Sequence, residues 1–277
     1  MQDNSALGRA LGIVRDLRRR CPWDRVQTRA TLRPYLVEEV LELDHALGEG
    51  DPDKIRDEVG DLMLHLAWQL VLGEETGEFT PDEVADRVVR KMERRHPHLY
   101  DLGPKEPWET LKRRLADGTS AAPRILDGLP PTLPSLQAAY RIQQKAASVG
   151  FDWPDAVGPA EKVREELAEV LVEAESASRR DGEAAESAQA DLGAERDPSD
   201  PVAQEVGDLL FAVVNLARTL RVQPTVALDA ANKKFRTRFE GVEALAKARG
   251  VDMATAGLAK LDELWDEVKS QESRVQS

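Results

Sequence analysis

Two carboxylate ladders occur twice in this chain, in the same order. Glu38-Glu39-Val40-Leu41-Glu42 is followed by Glu58-Val59-Gly60-Asp61; later Glu165-Glu166-Leu167-Ala168-Glu169 is followed by Glu205-Val206-Gly207-Asp208. On a helix, side chains three apart share a face. If the two ladder helices pack antiparallel, Glu39, Glu42, Glu58 and Asp61 converge on one point, and Glu166, Glu169, Glu205 and Asp208 on another. Converging anions repel, and burying them unpaired is very costly. A cation between them is implied, and hard carboxylate oxygens suit Mg²⁺, with Mn²⁺ as the alternative. An isolated Glu-x-x-Glu is more often a solvated helix face. Two complete sets in matching order make chance a poor account.

Low aromatic content (5%) and many Leu, Val, Ala, Glu and Arg residues point to helices throughout. At 277 residues each half is long enough to bury its own core. The net charge of -13 argues against a protein that coats nucleic acid or an anionic membrane. An anionic substrate would need metal ions and clustered Lys or Arg. A single cysteine, Cys21, fits a reducing compartment. The first residues lack the features of a signal peptide and no apolar run reaches transmembrane length, so a soluble, cytoplasmic protein is expected.

Along the chain, the apolar spacing predicts a helix over 5–19, a turn at Cys21-Pro22-Trp23-Asp24, and a first ladder helix starting near Thr28 and ending near Leu47. The helix over 53–73 is apolar nearly all round, which predicts burial on several sides and an interface with a second copy or the other half. Thr80-Pro81-Asp82-Glu83 reads as a capping box. Proline density over 101–134, with a short basic helix near 108–116, marks a boundary. The expected domains are 1–118, a connector 119–134, and 135–277. In the second half, helices are expected at 136–149, 158–179, 202–220, 224–248 and 255–271, with a disordered acidic loop at 180–201. The matching order of elements reads as a tandem duplication of a domain of roughly 100 residues. Trp23 and Trp153 read as packing anchors, and His96 and His98 as residues at a helix end.

Carboxylate-held Mg²⁺ beside Lys and Arg suits phosphoanhydride hydrolysis. Lys234 and Arg238, four apart after the second ladder, can grip phosphates. Glu38 or Glu165, beside the four acids, can act as base for a water. No GxxxxGK[ST] occurs, which excludes a phosphate loop of that type. Glu42-x-x-His45 and Glu93-x-x-His96 have the spacing of di-iron carboxylate bundles. The second half keeps its acids without any histidine, so an all-carboxylate site is preferred over a redox one.

The motifs CPWD (21–24), ERRHPH (93–98), VGFDW (149–153), EVGDLLFAVVNLAR (205–218) and ANKKFRTRF (231–239), with the ladders, resemble the MazG family of the all-α nucleoside triphosphate pyrophosphatases over roughly residues 5–270. The resemblance implies an all-α tandem pair of MazG-like helical domains in a dimer. It also implies Mg²⁺-dependent cleavage of nucleoside triphosphates to monophosphate and pyrophosphate, clearing ordinary or damaged nucleotides. By the same resemblance Glu166, Glu169, Glu205 and Asp208 hold metal, and Glu39, Glu42, Glu58 and Asp61 fill those positions in the first half. Lys162, Lys234, Arg238 and Trp265 contact the nucleotide, with Lys91 and Arg95 aligned in the first half. The family's stronger activity lies in the C-terminal domain. This chain departs from the pattern by the insert at 180–201, by Gln204 and by Thr237, while the first half keeps compact spacing and Arg94-Arg95. From another class, a non-catalytic nucleotide- or protein-binding scaffold with structural Mg²⁺ is the alternative.

Overall fold

The computed structural model describes residues 5–106, 124–185 and 195–275, and every regular element among them is helical. The chain divides into two compact units, Met1–Glu106 and Pro107–Ser277.

In the first unit, α1 (Ala6–Arg20) is capped by Ser5, whose Oγ accepts the Gly8 N–H at 2.9 Å. The segment read as a turn at Cys21–Asp24 is instead a four-residue helix, α2 (Pro22–Arg25), because Pro22 sits at a first-turn position where its missing N–H costs nothing. Arg18 fixes it in place: its guanidinium donates to the carbonyls of Asp24 (2.8 Å) and Gln27 (2.9 Å) and bonds Glu75 (2.9 Å). Helix α3 (Arg29–Glu49) ends at Gly50, whose left-handed φ of 78° turns the chain into α4 (Pro52–Glu75), capped by Asp51. Helix α5 (Pro81–Arg95) opens on the expected capping box of Thr80 and Glu83 and is followed by a 3₁₀ turn, Pro97–Leu99. His96 Nδ1 lies 2.8 Å from the Met92 carbonyl, at the helix end as expected. The core joins α1, α3 and α4 through Leu11, Val14, Leu32, Trp68, Val71 and Leu72.

The loop after α4 folds back so tightly that the ring of Phe79 occupies the place of a side chain at Gly73; a Cβ there would meet Phe79 at 2.2 Å. Gly73→Ala is therefore expected to push Phe79 off α4, with Arg29 that stacks over its ring, at a cost of about 1–3 kcal/mol. A thermal melt checks this: an unchanged midpoint would mean that the loop yields freely.

In the second unit, α6 (Ser135–Ala147), α7 (Val157–Ala185) and α8 (Pro201–Thr219) pack together, with α7 against α8 the most extensive pairing. Gln143 of α6 donates to the Phe211 carbonyl of α8 at 2.8 Å. Arg218 of α8 is bonded to Asp152 of the turn before α7, through its Nη1 at 3.1 Å and through its Nη2, which holds the Asp152 carboxyl below the usual range. Helices α9 (Pro224–Ala248) and α10 (Leu258–Val275) share their own core of Val242, Ala246, Leu264 and Val268.

Several sequence expectations need correction. Helix α7 continues to Ala185, so the start of the stretch expected to be a loop at 180–201 is helical. Only Gly182 among residues 180–185 is a poor helix former, and a helix propagates at little cost once nucleated. Residues 186–194 of that stretch, the expected helix near 108–116 and the first part of the connector 119–134 lie outside the described residues. Trp23 and Trp153 are about half exposed rather than buried; Trp23 meets Tyr35 edge-on at 6.4 Å and the Trp153 ring lies over Gly158. Within the single chain, α4 and α8 are not buried on all sides. Met63 and Leu66 of α4, and Leu210 and Val213 of α8, are exposed. No helix among the described residues is long and apolar enough to cross a membrane.

Candidate metal and phosphate site

A two-residue turn, Gly50-Asp51, makes α3 and α4 neighbours that run in opposite directions, so the ladders of the two helices face one another. Glu39, Glu58 and Asp61 place carboxylate oxygens within 4.8 Å of one another. Glu166 of α7 and Glu205 and Asp208 of α8 do the same in the second unit. The fourth acid of each set, Glu42 or Glu169, stands beside the three. Its charge is felt at the cluster, Glu42 by Glu39 and Glu58, and Glu169 by Glu166.

The two clusters answer their repulsion differently. In the first, burial and then the charges of Asp61, Glu42, Glu58 and Glu38 hold Glu39 above the ordinary carboxylate range. Glu58 is raised by burial and by Glu42 and Asp61. Glu39 and Glu58 are pressed together with their neighbours and hold protons longer than free carboxylates. In the second cluster Lys162, one helical turn before Glu166, sits 2.6 Å from Glu166 and 2.8 Å from Glu165. The ammonium holds the Glu166 carboxyl low, while a carboxyl–carboxylate hydrogen bond with Glu166 raises Glu169. Glu166 is the most enclosed of these acids, at 5% exposure. The position equivalent to Lys162, four before Glu39, is Tyr35.

The remaining expected site residues lie on other helices. Glu38 and Glu165 are exposed beside their ladders, and Glu165 is engaged by Lys162. Lys234 is exposed on α9, Arg238 bonds Glu272 of α10 at 2.8 Å, and Trp265 of α10 packs on Phe235 of α9 at 5.1 Å between ring centroids. In the first unit Lys91 is exposed and Arg95 half-buried on α5. The structure thus assembles the acids with Lys162, and holds the α9–α10 residues as a separate group within the second unit.

Two features were missed in the sequence. A cleft of about 760 Å³ opens beside Glu42 and Glu58, walled by Pro34, Val37, Leu41 and Lys54, within the size range of small-molecule sites. The second is His65, buried on α4 with Nε2 3.8 Å from Glu39 Oε1. Burial keeps its ring below the usual histidine pKa, against the pull of Asp61. Its sequence signal is that His65 follows Asp61 by four residues and so shares its helix face.

Comparison with known proteins places the chain among relatives of one family. Residues 27–100 match the family model of the MazG nucleotide pyrophosphohydrolase domain. The chain is 36% identical over 266 residues to the nucleoside triphosphate pyrophosphohydrolase of Escherichia coli, covering 94% of each protein. It is 37% identical over 252 residues to the nucleoside triphosphate pyrophosphohydrolase/pyrophosphatase MazG of Thermotoga maritima, covering 90% of this chain and 89% of that protein. A further relative, the uncharacterized protein YabN of Bacillus subtilis, is 38% identical over 271 residues, which span 95% of this chain and 51% of YabN.

Proposed function

Because the chain belongs to the MazG family of nucleotide pyrophosphohydrolases, we propose that its two acid clusters hold Mg²⁺ and cleave nucleoside triphosphates between the α and β phosphates. The protein is a hydrolase that acts on nucleoside triphosphates. The observation that carries the site assignment is the convergence of three carboxylates within 4.8 Å in each unit, on facing ladder helices.

Glu166, Glu169, Glu205 and Asp208 would hold the cation in the second unit, and Glu39, Glu42, Glu58 and Asp61 in the first. When bound, Mg²⁺ supplies charge neutralisation for phosphate oxygens and makes a water more acidic. The chain's own groups do the rest. Lys162, which bonds Glu166 and Glu165, would contact the phosphates of the substrate. Glu165, beside the acids, would accept the proton of the attacking water. Lys234, Arg238 and Trp265 form the nucleotide-facing group on α9 and α10, as Lys91 and Arg95 do on α5, and the cleft beside Glu42 receives the nucleoside in the first unit. Pyrophosphate leaves as nucleoside monophosphate forms.

We read the two halves, 1–118 and 135–277, as a duplicated domain, and the protein as a cytoplasmic homodimer that clears nucleotides from the pool. Exposed Met63, Leu66, Leu210 and Val213 on the ladder helices support the dimer. A non-catalytic scaffold would leave triphosphates intact.

The test is product analysis by ³¹P NMR with each common nucleoside triphosphate and Mg²⁺. Monophosphate with stoichiometric pyrophosphate is expected. Release of single phosphates would reject α–β cleavage.

A further inference from the structure

Each unit carries a lysine one helical turn before its acids, but the two lysines stand on opposite ladder helices. In the second unit Lys162, Glu166 and Glu169 follow one another at four and then three residues along α7. In the first unit the same spacing falls on α4, as Lys54, Glu58 and Asp61. Side chains so spaced line one face of a helix. The other ladder helix has no cation at the matching place: Tyr35 stands four before Glu39, and Pro201 four before Glu205. Lys54 also lines the cleft of about 760 Å³, together with Glu42 and Glu58. Among the described residues that line it, Lys54 is the one lysine or arginine. Its Nζ is bonded to Glu49 at 2.7 Å, in an exposed pair. Such a pair contributes little in water, so exchanging Glu49 for a phosphate oxygen costs little.

We propose that Lys54 binds the phosphate chain of the first unit's substrate, at the Glu42–Glu58 end of the acid cluster. In the second unit Lys162 does so from the end marked by Glu166, which matches Glu39 of the first. The inference rests on the reading that each cluster holds a cation and a triphosphate. A lysine ammonium is a compact charge with three N–H donors and suits phosphate oxygens. The cleft supplies four carboxylates, Glu38, Glu42, Glu49 and Glu58, and an anionic chain entering it needs a cationic contact of the protein's own. The two units then grip phosphate with lysines that are not equivalent in sequence, and each grip is removable without touching the other.

The experiment uses the full chain carrying Glu205→Gln and Asp208→Asn, so that the second cluster is disabled, and calorimetric titration with inorganic tripolyphosphate in Mg²⁺. This probe has no base or sugar, so it reports phosphate contacts alone. Lys54→Met is expected to lower its affinity by about 10-fold or more, the scale of one charge-assisted hydrogen bond. Lys54→Arg, which keeps the charge, is expected to stay within about threefold of the parent. Glu49→Gln, which removes the partner and keeps the lysine, is expected not to weaken binding, and so separates phosphate contact from a structural role of the pair. With nucleoside triphosphate, Lys54→Met is expected to raise KM by a similar factor while kcat changes by less than about threefold. In the chain with the first cluster disabled by Glu58→Gln and Asp61→Asn, Lys162→Met is expected to weaken tripolyphosphate binding and Lys54→Met to leave it unchanged. Binding that Asp61→Asn weakens but Lys54→Met does not would overturn the role of Lys54 and leave the cluster's role intact. Binding that neither weakens, or none in the parent, would remove both.

Discussion

Turnover of nucleoside triphosphate is expected to fall by more than about 100-fold when Glu205 and Asp208 are replaced by glutamine and asparagine, with the helical circular dichroism signal unchanged. The size follows from what those side chains do. Loss of an outer-shell partner of a metal costs about 10–100-fold, and these two residues supply two of the three converging carboxylates of the second cluster. The second cluster is expected to dominate because it already holds a lysine, Lys162, at the acids. The matching Glu58→Gln/Asp61→Asn variant is expected to lose only the smaller share of activity carried by the first unit. The family model's match to residues 27–100 favours a working first site as well. Steady-state kinetics on the two double variants and on the quadruple variant decide the matter. Full activity in the variant lacking Glu205 and Asp208 would move catalysis to the first unit. Activity surviving in the quadruple variant would separate hydrolysis from the acid clusters.

On the proposed reading, Mg²⁺ is expected to raise the melting midpoint, and to do so more at pH 8 than at pH 5. Glu39 and Glu58 in the first cluster, and Glu169 in the second, have folded-state pKa values above their ordinary ones. In the window from the ordinary glutamate value upward to those raised values, the folded chain binds more protons than the unfolded chain. Stability without metal therefore falls as pH rises through that window. Glu166 works in the opposite sense: held low by Lys162, it contributes stability that is present above the ordinary glutamate range and lost as pH falls. A cation must displace the protons on the raised acids, so its binding strengthens as they ionise. At a free concentration about 100 times the dissociation constant, binding contributes about 2.7 kcal/mol, which corresponds to a shift of a few degrees in a chain of this size. Calorimetry in EDTA and in saturating Mg²⁺ at the two pH values checks it. Asp61→Asn and Asp208→Asn should each raise the midpoint of the metal-free protein, by relieving repulsion, and reduce the response to Mg²⁺. An equal shift at both pH values would reject a carboxylate site.

The sequence by itself determined the helical class, most helix starts and which acids share a helix face. The Thr80 capping box is written in local residue order and was found where expected. The acids were legible because three-residue spacing on a helix fixes a shared face whatever packs against it. Matching motifs on both halves also carried the family, which the relatives across 94% and 90% of the chain then showed. Local order did not determine where the helix ends, so α7 ran on to Ala185 through residues, Gly182 among them, that looked like a loop.

Only the tertiary structure decided which charges meet. Lys162 reaches Glu166 along its own helix, but Glu166 meets Glu205 and Asp208 only because α7 and α8 pair across the intervening stretch. His65 comes near Glu39 because α3 lies against that face of α4. Arg238, which its spacing suited to phosphate, is bonded to Glu272, a residue 34 positions away that no local pattern connects to it. Local spacing fixes the direction of a side chain on its helix. The partner it meets is set by helix packing, and packing depends on apolar surfaces far apart in the chain.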